Sequence, residues 1–370
     1  MELVEVKVGE LKTFAQSEYF RQMRQIPVSS PRAYSQFLNP SADSSEVVLV
    51  YALTEDGALA GYIGILPASL ITGDRHTHKV YYNSCWWVHP KLGKTIGMKL
   101  FYRMLQLSGG RMVFFELTTR TETILRTLDG IVFPPIQYGM KAYLGIPSLR
   151  SVSGILSVNW PVQELLHLIG SVVNLPFHIK NQRRLSQEKK NTDISIEYIG
   201  FPDETLWQWT RQFNQAMTVF RGYEELRWAS ENPWMIERQS PYSRERKKYS
   251  FSLVAHRWRH FWVKVNVNNQ MAGLACFTSR DGNYRIPYAW FAEVDSETMG
   301  LAMMEVLINE KALSVTCFNQ LVVNVLREKG SKIFLHTKPL SKTAAWTVDV
   351  DPLLKEGFEM QDGDGDAIFT

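Results

Sequence analysis

The chain has 370 residues, of which 45% are hydrophobic and 12% aromatic, enough for one large or two ordinary folded domains. Its 41 basic and 37 acidic residues nearly balance, so the sequence lacks the concentrated basic surface expected of a nucleic-acid-binding protein. Three widely spaced cysteines, Cys85, Cys276 and Cys317, form no disulfide framework and indicate buried thiols in a reducing compartment.

The beginning of the chain, MELVEVKVGE, alternates like a β-strand and lacks the apolar run of a signal peptide. No run of about 18 uncharged apolar residues occurs anywhere, so no membrane span is expected. These features together predict a cytoplasmic protein.

The first half predicts a strand, a helix, a three-strand meander, a helix, a strand, a helix and a final strand. In chain order these predicted elements are Leu3–Val8, Leu11–Ile26, Val47–Leu53, Ala58–Ile71, His78–Pro90, a helix that ends near Leu107, Arg111–Thr119, Arg120–Gly130 and Tyr138–Ile146.

The sequence of the second half predicts the same order of strands and helices again, after a helical and basic linker. A helix is predicted over Val162–Phe177, followed by the polar run KNQRRLSQEKKN. DGALAG and NNQMAG end at Gly61 and Gly273, and the late helix of each half is followed by a glycine, Gly130 or Gly330. We therefore predict a first domain at 1–150, a linker at 151–191 and a second domain at 192–370, in tandem.

The segment SCWWVHPKLGKTIG resembles the signature of the GCN5-related N-acetyltransferases. In that family a strand ends in Val-x-Pro, here Val88-His89-Pro90, and a Gly-rich loop then leads into a helix, here Gly93 to Gly97. The resemblance implies an α/β (α+β) fold with two acetyltransferase-like domains, each a mostly antiparallel mixed sheet flanked by helices. The second copy, AEVDSETMGLAMM, carries acids in place of the loop, so it is predicted to be degenerate.

The resemblance also implies acetyl-CoA or another acyl-CoA as cosubstrate. A helix N-terminus presents unpaired N–H groups, and glycines let an anion approach the backbone. The pyrophosphate is expected at this turn, with Lys91 or Lys94 adding charge, and the acyl carbonyl at the backbone N–H of Trp87 or Val88. The predicted loop residues are Leu92, Gly93, Lys94, Thr95, Ile96 and Gly97. The simpler interpretation is a plain strand-to-helix turn.

Acyl transfer to an amine needs a base for the ammonium and an acid for the leaving thiolate. Glu116 is the preferred base, with His89 as a second candidate. Tyr143 and Tyr138 follow the late helix, where the family places its acidic tyrosine. Cys85 lies inside an apolar strand without a flanking base and is not expected to be a nucleophile.

Other polar groups are interpreted as structural. His76 and His78 lack further ligands, so no metal is predicted, and QDGDGDAIF near the C-terminus is interpreted as a turn between terminal strands. The tryptophans are assigned mainly to the core, although they would suit an acceptor such as a sugar. The segment 162–190 has the basic, amphipathic character of a membrane-surface helix, but packing against a domain is the preferred interpretation.

The sequence as a whole predicts an N-acyltransferase that moves an acetyl or other acyl group from coenzyme A to a primary amine. An amino sugar, free or linked to a nucleotide, is the first acceptor to consider. Two alternatives remain open. One is an aminoacyl-tRNA-dependent transferase with paired domains of this type. The other is a non-catalytic acyl-CoA- or ligand-binding protein, since Leu92 and Thr95 depart from the family signature.

Overall fold

The structure, a computed structural model, describes residues 2–73, 75–146, 160–188, 193–213, 219–237, 240–292, 296–330, 333–354, 358 and 360–369. The strands are β1 Glu2–Lys7, β2 Val47–Leu53, β3 Leu59–Ile71, β4 Thr77–Val88, β5 Met112–Phe114, β6 Ile131–Val132, β7 Gln137–Tyr143, β8 Ile194–Ile199, β9 Val219–Phe220, β10 Ile236–Glu237, β11 Val254–Ala255, β12 Trp258–Val267, β13 Gln270–Arg280, β14 Asn283–Phe291, β15 Ser314–Cys317, β16 His336–Lys342 and β17 Ala345–Thr347.

The helices alternate with these strands in an α/β pattern. They are α1 Leu11–Gln16, α2 Glu18–Gln22, α3 Ser30–Phe37, α4 Gly93–Leu107, α5 Thr119–Leu125, α6 Trp160–Glu188, α7 Glu204–Thr210, α8 Tyr223–Glu231, α9 Ser296–Asn309, α10 Gln320–Gly330 and α11 Asp351–Leu354. No helix in the described part of the chain combines the length and the apolar character that a membrane span needs.

The chain folds into two compact units that are each assembled from separate segments. The first unit contains Met1–Ile136, Asp203–Trp258 and Lys342–Thr370, and the second contains Gln137–Pro202 and Arg259–Ser341. Whereas the predicted boundaries divide the chain into consecutive blocks, these units interleave along it.

The first unit is built on a sheet with the strand order β1-β2-β3-β4-β5-β17-β6, and β9 pairs with β3. Strands β1 to β4 are antiparallel, while β5 runs parallel to β4 because α4 carries the chain back between them. Period-2 alternation divides the buried side chains between two clusters. Val50 and Ala52 pack with the α4 residues Leu100 and Phe101, whereas Tyr51 packs with residues of the N-terminal helices.

The second unit has a sheet in the order β16-β7-β15-β14-β13-β12-β8. Strand β15 is parallel to β14 and antiparallel to β7. Its core joins apolar residues of this sheet with α9 and α10, including Met303, Leu307, Val323 and Leu326, all of them buried. The predicted fold class is therefore confirmed: two mostly antiparallel mixed sheets, each flanked by helices.

The last predicted strand of the first half pairs differently from the prediction. It forms β7, but it pairs with β15 of the second unit, with Met140 opposite Cys317. In the first sheet β17, from the end of the chain, lies between β5 and β6, with Trp346 opposite both Val113 and Val132. The alternation of side chains indicates a strand, but it carries no information about which strand will be its partner.

The segment 203–258 also differs from the prediction, which placed it in the second domain. It belongs to the first unit, where Phe220 of β9 pairs with Leu70 of β3. The buried carboxylate of Glu225 in α8 accepts a hydrogen bond of 2.8 Å from the backbone N–H of Ser69. These long-range contacts hold the segment against the first sheet.

Two predicted helices have different limits in the structure. The helix predicted from Leu11 is interrupted at Ser17, whose hydroxyl caps α2 by accepting a hydrogen bond of 3.1 Å from the N–H of Phe20. The helix predicted to end at Phe177 continues as α6 to Glu188, so most of the predicted polar linker is helical. Lys189 and Lys190 of that linker lie outside the described residues.

Candidate functional site

The turn between β4 and α4 is short and tightly hydrogen-bonded. After β4 ends at Val88, the N–H of His89 donates to the carbonyl of Ala60 over 2.9 Å, and the N–H of Leu92 donates to the carbonyl of His89, also over 2.9 Å. Helix α4 begins at Gly93, and its N-cap residue, Leu92, makes no side-chain cap. The first-turn N–H groups of α4 therefore have no capping oxygen from Leu92, which is the arrangement that suits an anion.

The two loop glycines have different surroundings, because Gly93 is partly exposed and Gly97 is buried. A Cβ atom placed on Gly93 would meet only a guanidinium nitrogen of Arg120, 3.9 Å away. On Gly97 it would lie 3.5 Å from a methyl group of Val88 and 3.7 Å from the Trp86 ring, which are ordinary contacts. The Gly93 face of the turn is thus open apart from one cation.

Arg120 is a residue that the sequence analysis missed. It is exposed and lies in the first turn of α5, directly after the loop that follows β5. The sequence shows a basic residue just beyond a strand, but its approach to Gly93 depends on β4 and β5 being neighbours. In the structure it adds a positive charge at the N-terminus of α4, where an anion would bind.

The side chains of the predicted loop residues have different surroundings. Ile96 is buried in the core beneath α4, while Thr95 is exposed and Leu92 keeps 38% of its surface accessible. Lys91 is exposed as well. The backbone of Lys94 is helical, but its side chain lies outside the described part of the structure. Any anion held here would therefore bind chiefly to backbone N–H groups.

Strand β4 contains a bulge that changes the direction of its backbone groups. Cys85 pairs with Gly64 and Asn83 pairs with Ile65, so Ser84 is one extra residue on β4. Before the bulge, β4 pairs with β5 at Tyr81 and Tyr82. Beyond the bulge no described strand pairs with this edge of β4, which leaves its outward N–H groups available.

The direction of the hydrogen bonds distinguishes Val88 from Trp87. Because the N–H of His89 donates to Ala60, Val88 and Gly61 form a non-hydrogen-bonded pair. The N–H of Val88 therefore points away from β3, towards the free edge, whereas that of Trp87 points towards β3. Of the two predicted carbonyl-binding residues, Val88 has the suitable geometry.

The two predicted bases lie in the first unit. Glu116 follows β5, is exposed, and has a backbone φ of 50°, in the left-handed region. His89 lies in the turn itself, where its Nδ1 is 3.4 Å from the N–H of Lys91, and its ring is 6.2 Å from that of Trp87. Neither position is buried within the core.

The two predicted acids lie in the second unit, because β7 joins its sheet. Tyr138 is 61% exposed, and its carbonyl accepts a hydrogen bond from the side chain of Gln320. The Tyr143 ring stacks on His336 at 6.1 Å, and the ammonium group of Lys141 lies 5.3 Å from the ring centre. The loop residues belong to the first unit, so the structure divides the predicted site residues between the two units.

The segment QDGDGDAIF is not the predicted turn between terminal strands. It forms two short 3-10 turns, Asp362–Asp364 and Asp366–Phe369, in the first unit. Phe369 is fully buried and stacks on Trp234 with the ring centres 4.1 Å apart. Such burial comes from long-range packing, which the acidic, glycine-rich sequence does not indicate.

This segment brings a carboxylate to the bulge of β4. The Ser84 hydroxyl donates to the Asp366 carboxylate over 2.7 Å, and the guanidinium group of Arg32 donates to the carbonyl of Ser84 over 2.6 Å and to its hydroxyl. Burial raises the pKa of Asp366 to about 6, against the opposing effects of Arg32, of the Ser84 hydrogen bond and of Arg221. None of these groups was predicted from the sequence as part of a site.

Cys85 next to the bulge has the environment of a structural thiol. It is buried, and burial raises its pKa, although Arg32 and a hydrogen bond with Tyr249 act in the opposite direction. The thiolate form is therefore disfavoured at neutral pH, as expected for a cysteine that is not a nucleophile.

The remaining predicted features have mainly structural surroundings. Among the described residues no group of three or more His, Cys, Asp or Glu side chains could hold a metal ion. Trp228 and Trp234 are buried and pack on Phe369, and Trp262 is buried and stacks on Trp290 at 6.1 Å, so these rings serve as core.

Helix α6 carries exposed apolar side chains, which bears on the predicted membrane-surface contact. Those described as exposed are Ile169, Val172, Val173, Leu175 and Ile179. Leu185, further along the helix, is buried in the core of the second unit. The helix also contacts its own unit through Asn181, whose buried side-chain amide donates to the carbonyl of Leu144, and contact of the exposed residues with a membrane stays a prediction.

No protein-family model matches this chain, and no curated protein sequence does. Solved structures do match it. One is a GCN5-related N-acetyltransferase from Kribbella flavida, with 10% identity, coverage of 93% of this chain and 70% of that one, and a TM-score of 0.41. Another is Saccharomyces cerevisiae N-myristoyltransferase with bound myristoyl-CoA, with 10% identity, coverage of 93% and 77%, and a TM-score of 0.47.

A tandem GNAT protein from the clavulanic acid biosynthesis pathway also matches, with 10% identity, coverage of 94% of this chain and 97% of that one, and a TM-score of 0.43. The family that the sequence resembles is therefore among the structural matches. Identities and TM-scores of this size carry no argument about activity, so we base the function on the geometry of the chain itself.

Proposed function

We propose that this protein is an N-acyltransferase that moves an acyl group from an acyl-CoA, with acetyl-CoA as the first candidate, to a primary amine. One observation carries the proposal. The uncapped N-terminus of α4 directly follows a strand whose free edge presents the N–H of Val88, and Arg120 lies beside Gly93. A helix N-terminus that suits an anion and a backbone N–H that suits a carbonyl oxygen are thus adjacent along one strand-turn-helix segment.

The turn would hold the pyrophosphate of coenzyme A. The first N–H groups of α4 and the helix dipole favour a negative charge, and the open face of Gly93 lets phosphate oxygens reach the backbone. Arg120 would add a charge-assisted hydrogen bond. The predicted loop residues Leu92 to Gly97 would contribute through their backbone.

The free edge of β4 would hold the acyl end of the same molecule. A thioester carbonyl that accepts a hydrogen bond from the N–H of Val88 would keep this donor as the carbonyl becomes a tetrahedral oxyanion. No ladder hydrogen bond of β4 has to break, because this N–H points away from β3. Holding the amine against the carbonyl carbon would supply the rest of the rate enhancement.

The roles of the titrating side chains belong to the same proposal. A carboxylate is proposed as the base, for which Glu116 near the end of β5 is the candidate from the sequence, and Tyr143 or Tyr138 is proposed as the acid for the leaving thiolate. The acceptor is proposed to be an amine, with an amino sugar as the first class to test, and the protein is proposed to act in the cytoplasm. No observation favours the tRNA-dependent transferase or the binding protein over acyl transfer.

The experiment that tests the proposal is calorimetric titration of acetyl-CoA into the wild type, Gly93→Asp and Gly93→Ala. We expect one site in the wild type and a loss of at least ~100-fold in affinity for the aspartate variant, whose carboxylate would repel the pyrophosphate. An acidic residue in the first turn stabilises a helix, so the aspartate variant should remain folded. The alanine variant adds an uncharged methyl group at the same position and should lose far less affinity than the aspartate variant, which separates the effect of charge from that of size.

Two results would contradict the proposal. If the wild type shows neither heat nor a thermal shift with acetyl-CoA and longer acyl-CoAs, the β4–α4 turn is only a turn. If both Gly93 variants bind as well as the wild type, the ligand site lies elsewhere. Tight binding without CoA release in the presence of any amine would favour the non-catalytic alternative.

A further inference from the structure

The end of the chain supplies a side chain to the bulge of β4 from more than 280 positions away in the sequence. Ala367, Ile368 and Phe369 are fully buried, which fixes the segment in the first unit. Asp366, at the start of the same turn, is partly exposed as a residue, but its carboxylate is buried beside Ser84, Arg32 and Arg221. A segment that is locked into the core therefore holds one carboxylate against the bulge of β4.

Ser84 determines where this carboxylate lies. It is the extra residue of the bulge, at the point where β4 stops pairing with β5 and its edge becomes free. Val88, whose N–H points to the same free edge, is four residues further along, about 13 Å in an extended strand. Over this distance, a proton from an amine at Val88 would reach a carboxylate beside Ser84 through water.

We infer that Asp366 is the general base of the proposed acyl transfer, and that Ser84 and Arg32 position its carboxylate. The inference rests on the proposed function and deepens it, because it assigns the base to a residue that the family resemblance did not indicate. Glu116, the base predicted from the sequence, would then act as a neighbouring charge.

The charged groups around Asp366 are consistent with this role. Arg32 from α3 and Arg221, which follows β9, favour the ionised form, whereas Glu116 disfavours it. The guanidinium group of Arg221 also donates to the carbonyl of Gly365 over 2.9 Å. Burial outweighs these effects and keeps the pKa of Asp366 close to neutrality, where a base is most effective.

The reaction balances with this single base. The ammonium group of the acceptor gives one proton, through water, to the carboxylate of Asp366. The amine nitrogen then forms a bond to the thioester carbon, and the C–S bond breaks with its electron pair going to sulfur. The second proton of the nitrogen passes to the thiolate, and Asp366 releases its proton to solvent. Ammonium and thioester become amide, thiol and one proton.

The test is the pH dependence of CoA release from acetyl-CoA with a panel of primary amines that includes amino sugars. The variants are Asp366→Asn, Ser84→Ala and the matched control Asp364→Asn, an isosteric change two residues earlier, and calorimetry with acetyl-CoA is run on each. We expect unchanged binding in all variants, a 10²- to 10⁴-fold loss of kcat for Asp366→Asn, and wild-type kcat for the control.

The shape of the pH profile separates a base from a structural residue. The wild-type kcat should rise with an apparent pKa near that of Asp366, and this limb should vanish in Asp366→Asn. In Ser84→Ala the carboxylate loses a donor to its ionised form, so the limb should move to higher pH. This variant also keeps the inference testable if Asp366→Asn does not fold.

A second readout does not depend on the acceptor. For a carboxyl group whose pKa is raised on folding, the folded protein holds the proton between the unfolded and folded pKa values, so stability falls as pH rises through that window. The free energy of unfolding of the wild type should therefore fall between about pH 4 and pH 6 relative to Asp366→Asn, whose curve lacks this component.

The outcomes distinguish this inference from the function on which it rests. If the wild type does not bind acetyl-CoA, the proposed function fails. If it binds and turns over, but Asp366→Asn keeps the wild-type kcat and pH limb, the base is another residue. Binding without turnover of any amine, or parallel stability curves for the wild type and Asp366→Asn, would likewise overturn the assignment.

Discussion

Helices α4 and α9 begin at equivalent places in the two units, and they use a glycine at the same helical position for different purposes. Gly97 is the fifth residue of α4 and Gly300 the fifth residue of α9. A Cβ atom on Gly97 would make only ordinary contacts, the nearest at 3.5 Å, whereas on Gly300 it would lie 1.7 Å from a methyl group of Val325. In α9 the glycine is required for packing against α10, whereas in α4 a methyl group at the buried Gly97 would fit against Val88 and Trp86 without overlap.

The strands that lead into these helices are nearly identical in their hydrogen bonding. The N–H of His89 donates to Ala60, and the N–H of Ala292 donates to Ala272, each over 2.9 Å. Gly61 pairs with Val88 in the first unit, and Gly273 pairs with Phe291 in the second. The backbone frame is thus repeated, which supports the predicted tandem repeat.

The helix start itself differs between the units. At the start of α4 the first unit has Gly93, Lys94 and the nearby Arg120. The sequence at the start of α9 has Glu293, Asp295 and Glu297 instead. The side chains of these three acids lie outside the described part of the structure. A repeated frame therefore does not imply a repeated ligand site, because phosphate binding depends on the charges and on the open glycine face.

The largest effect is expected when the proposed carbonyl donor of the first unit is removed. Val88→Pro deletes an N–H that does not belong to the β3–β4 ladder, and Trp87 before it is already extended, as a proline requires. Turnover of acetyl-CoA should fall by 10² to 10³, as for the loss of one oxyanion donor. Val88→Ala, which shortens the side chain and keeps the N–H, is the control, and equal losses in the two variants would contradict the role of the N–H.

The next effect concerns the packed glycine of the second unit. Gly300→Ala should lower the free energy of unfolding by at least ~2 kcal/mol, because the new methyl group overlaps Val325 and the packed helices must separate. Urea denaturation of both proteins measures the difference. The double variant Gly300→Ala with Val325→Ala should recover part of the lost stability, because the smaller side chain makes room for the new methyl group. An unchanged urea midpoint in Gly300→Ala would mean that α9 and α10 are not in close contact.

A smaller effect is expected at the cation beside the α4 turn. Arg120→Gln should weaken acetyl-CoA binding about 5- to 10-fold at low salt, with a smaller difference at high salt, since the site is exposed and screened. Calorimetry at two salt concentrations tests this, with Arg126→Gln, at the C-cap of α5, as the control. Equal affinities for the wild type and Arg120→Gln at low salt would remove Arg120 from the site.

The smallest effect is expected at Gly97 of the first unit, which is buried but not crowded. Gly97→Ala should raise the free energy of unfolding by up to ~1 kcal/mol, because alanine is the better helix former and the added methyl group makes ordinary contacts. Replacing glycine with alanine is thus expected to raise the free energy of unfolding at Gly97 and to lower it at Gly300. If Gly97→Ala destabilises as much as Gly300→Ala, the two positions are equally crowded and the contrast between them is wrong.

Local sequence patterns were sufficient to predict most elements and the position of the turn. The alternation over β4, the Pro that follows it and the helical spacing after Gly93 are each short-range signals. They led to the tandem repeat and to the N-terminus of α4 as a place for an anion, while the fold class came from the family resemblance that they carry. The direction of the Val88 N–H was beyond them, because it depends on the bulge at Ser84, whose register is set by pairing with β3.

What the sequence by itself determined is therefore the set of strands and helices, their order, and the glycine-containing turn. Only the tertiary structure decided that β17 rather than β7 completes the first sheet, that Arg120 lies beside Gly93, and that Asp366 reaches Ser84. The physical reason is the same in each case. Backbone periodicity is encoded by neighbouring residues, whereas strand partners and buried polar contacts are chosen by residues far apart in the chain, which compete for the same space in the core.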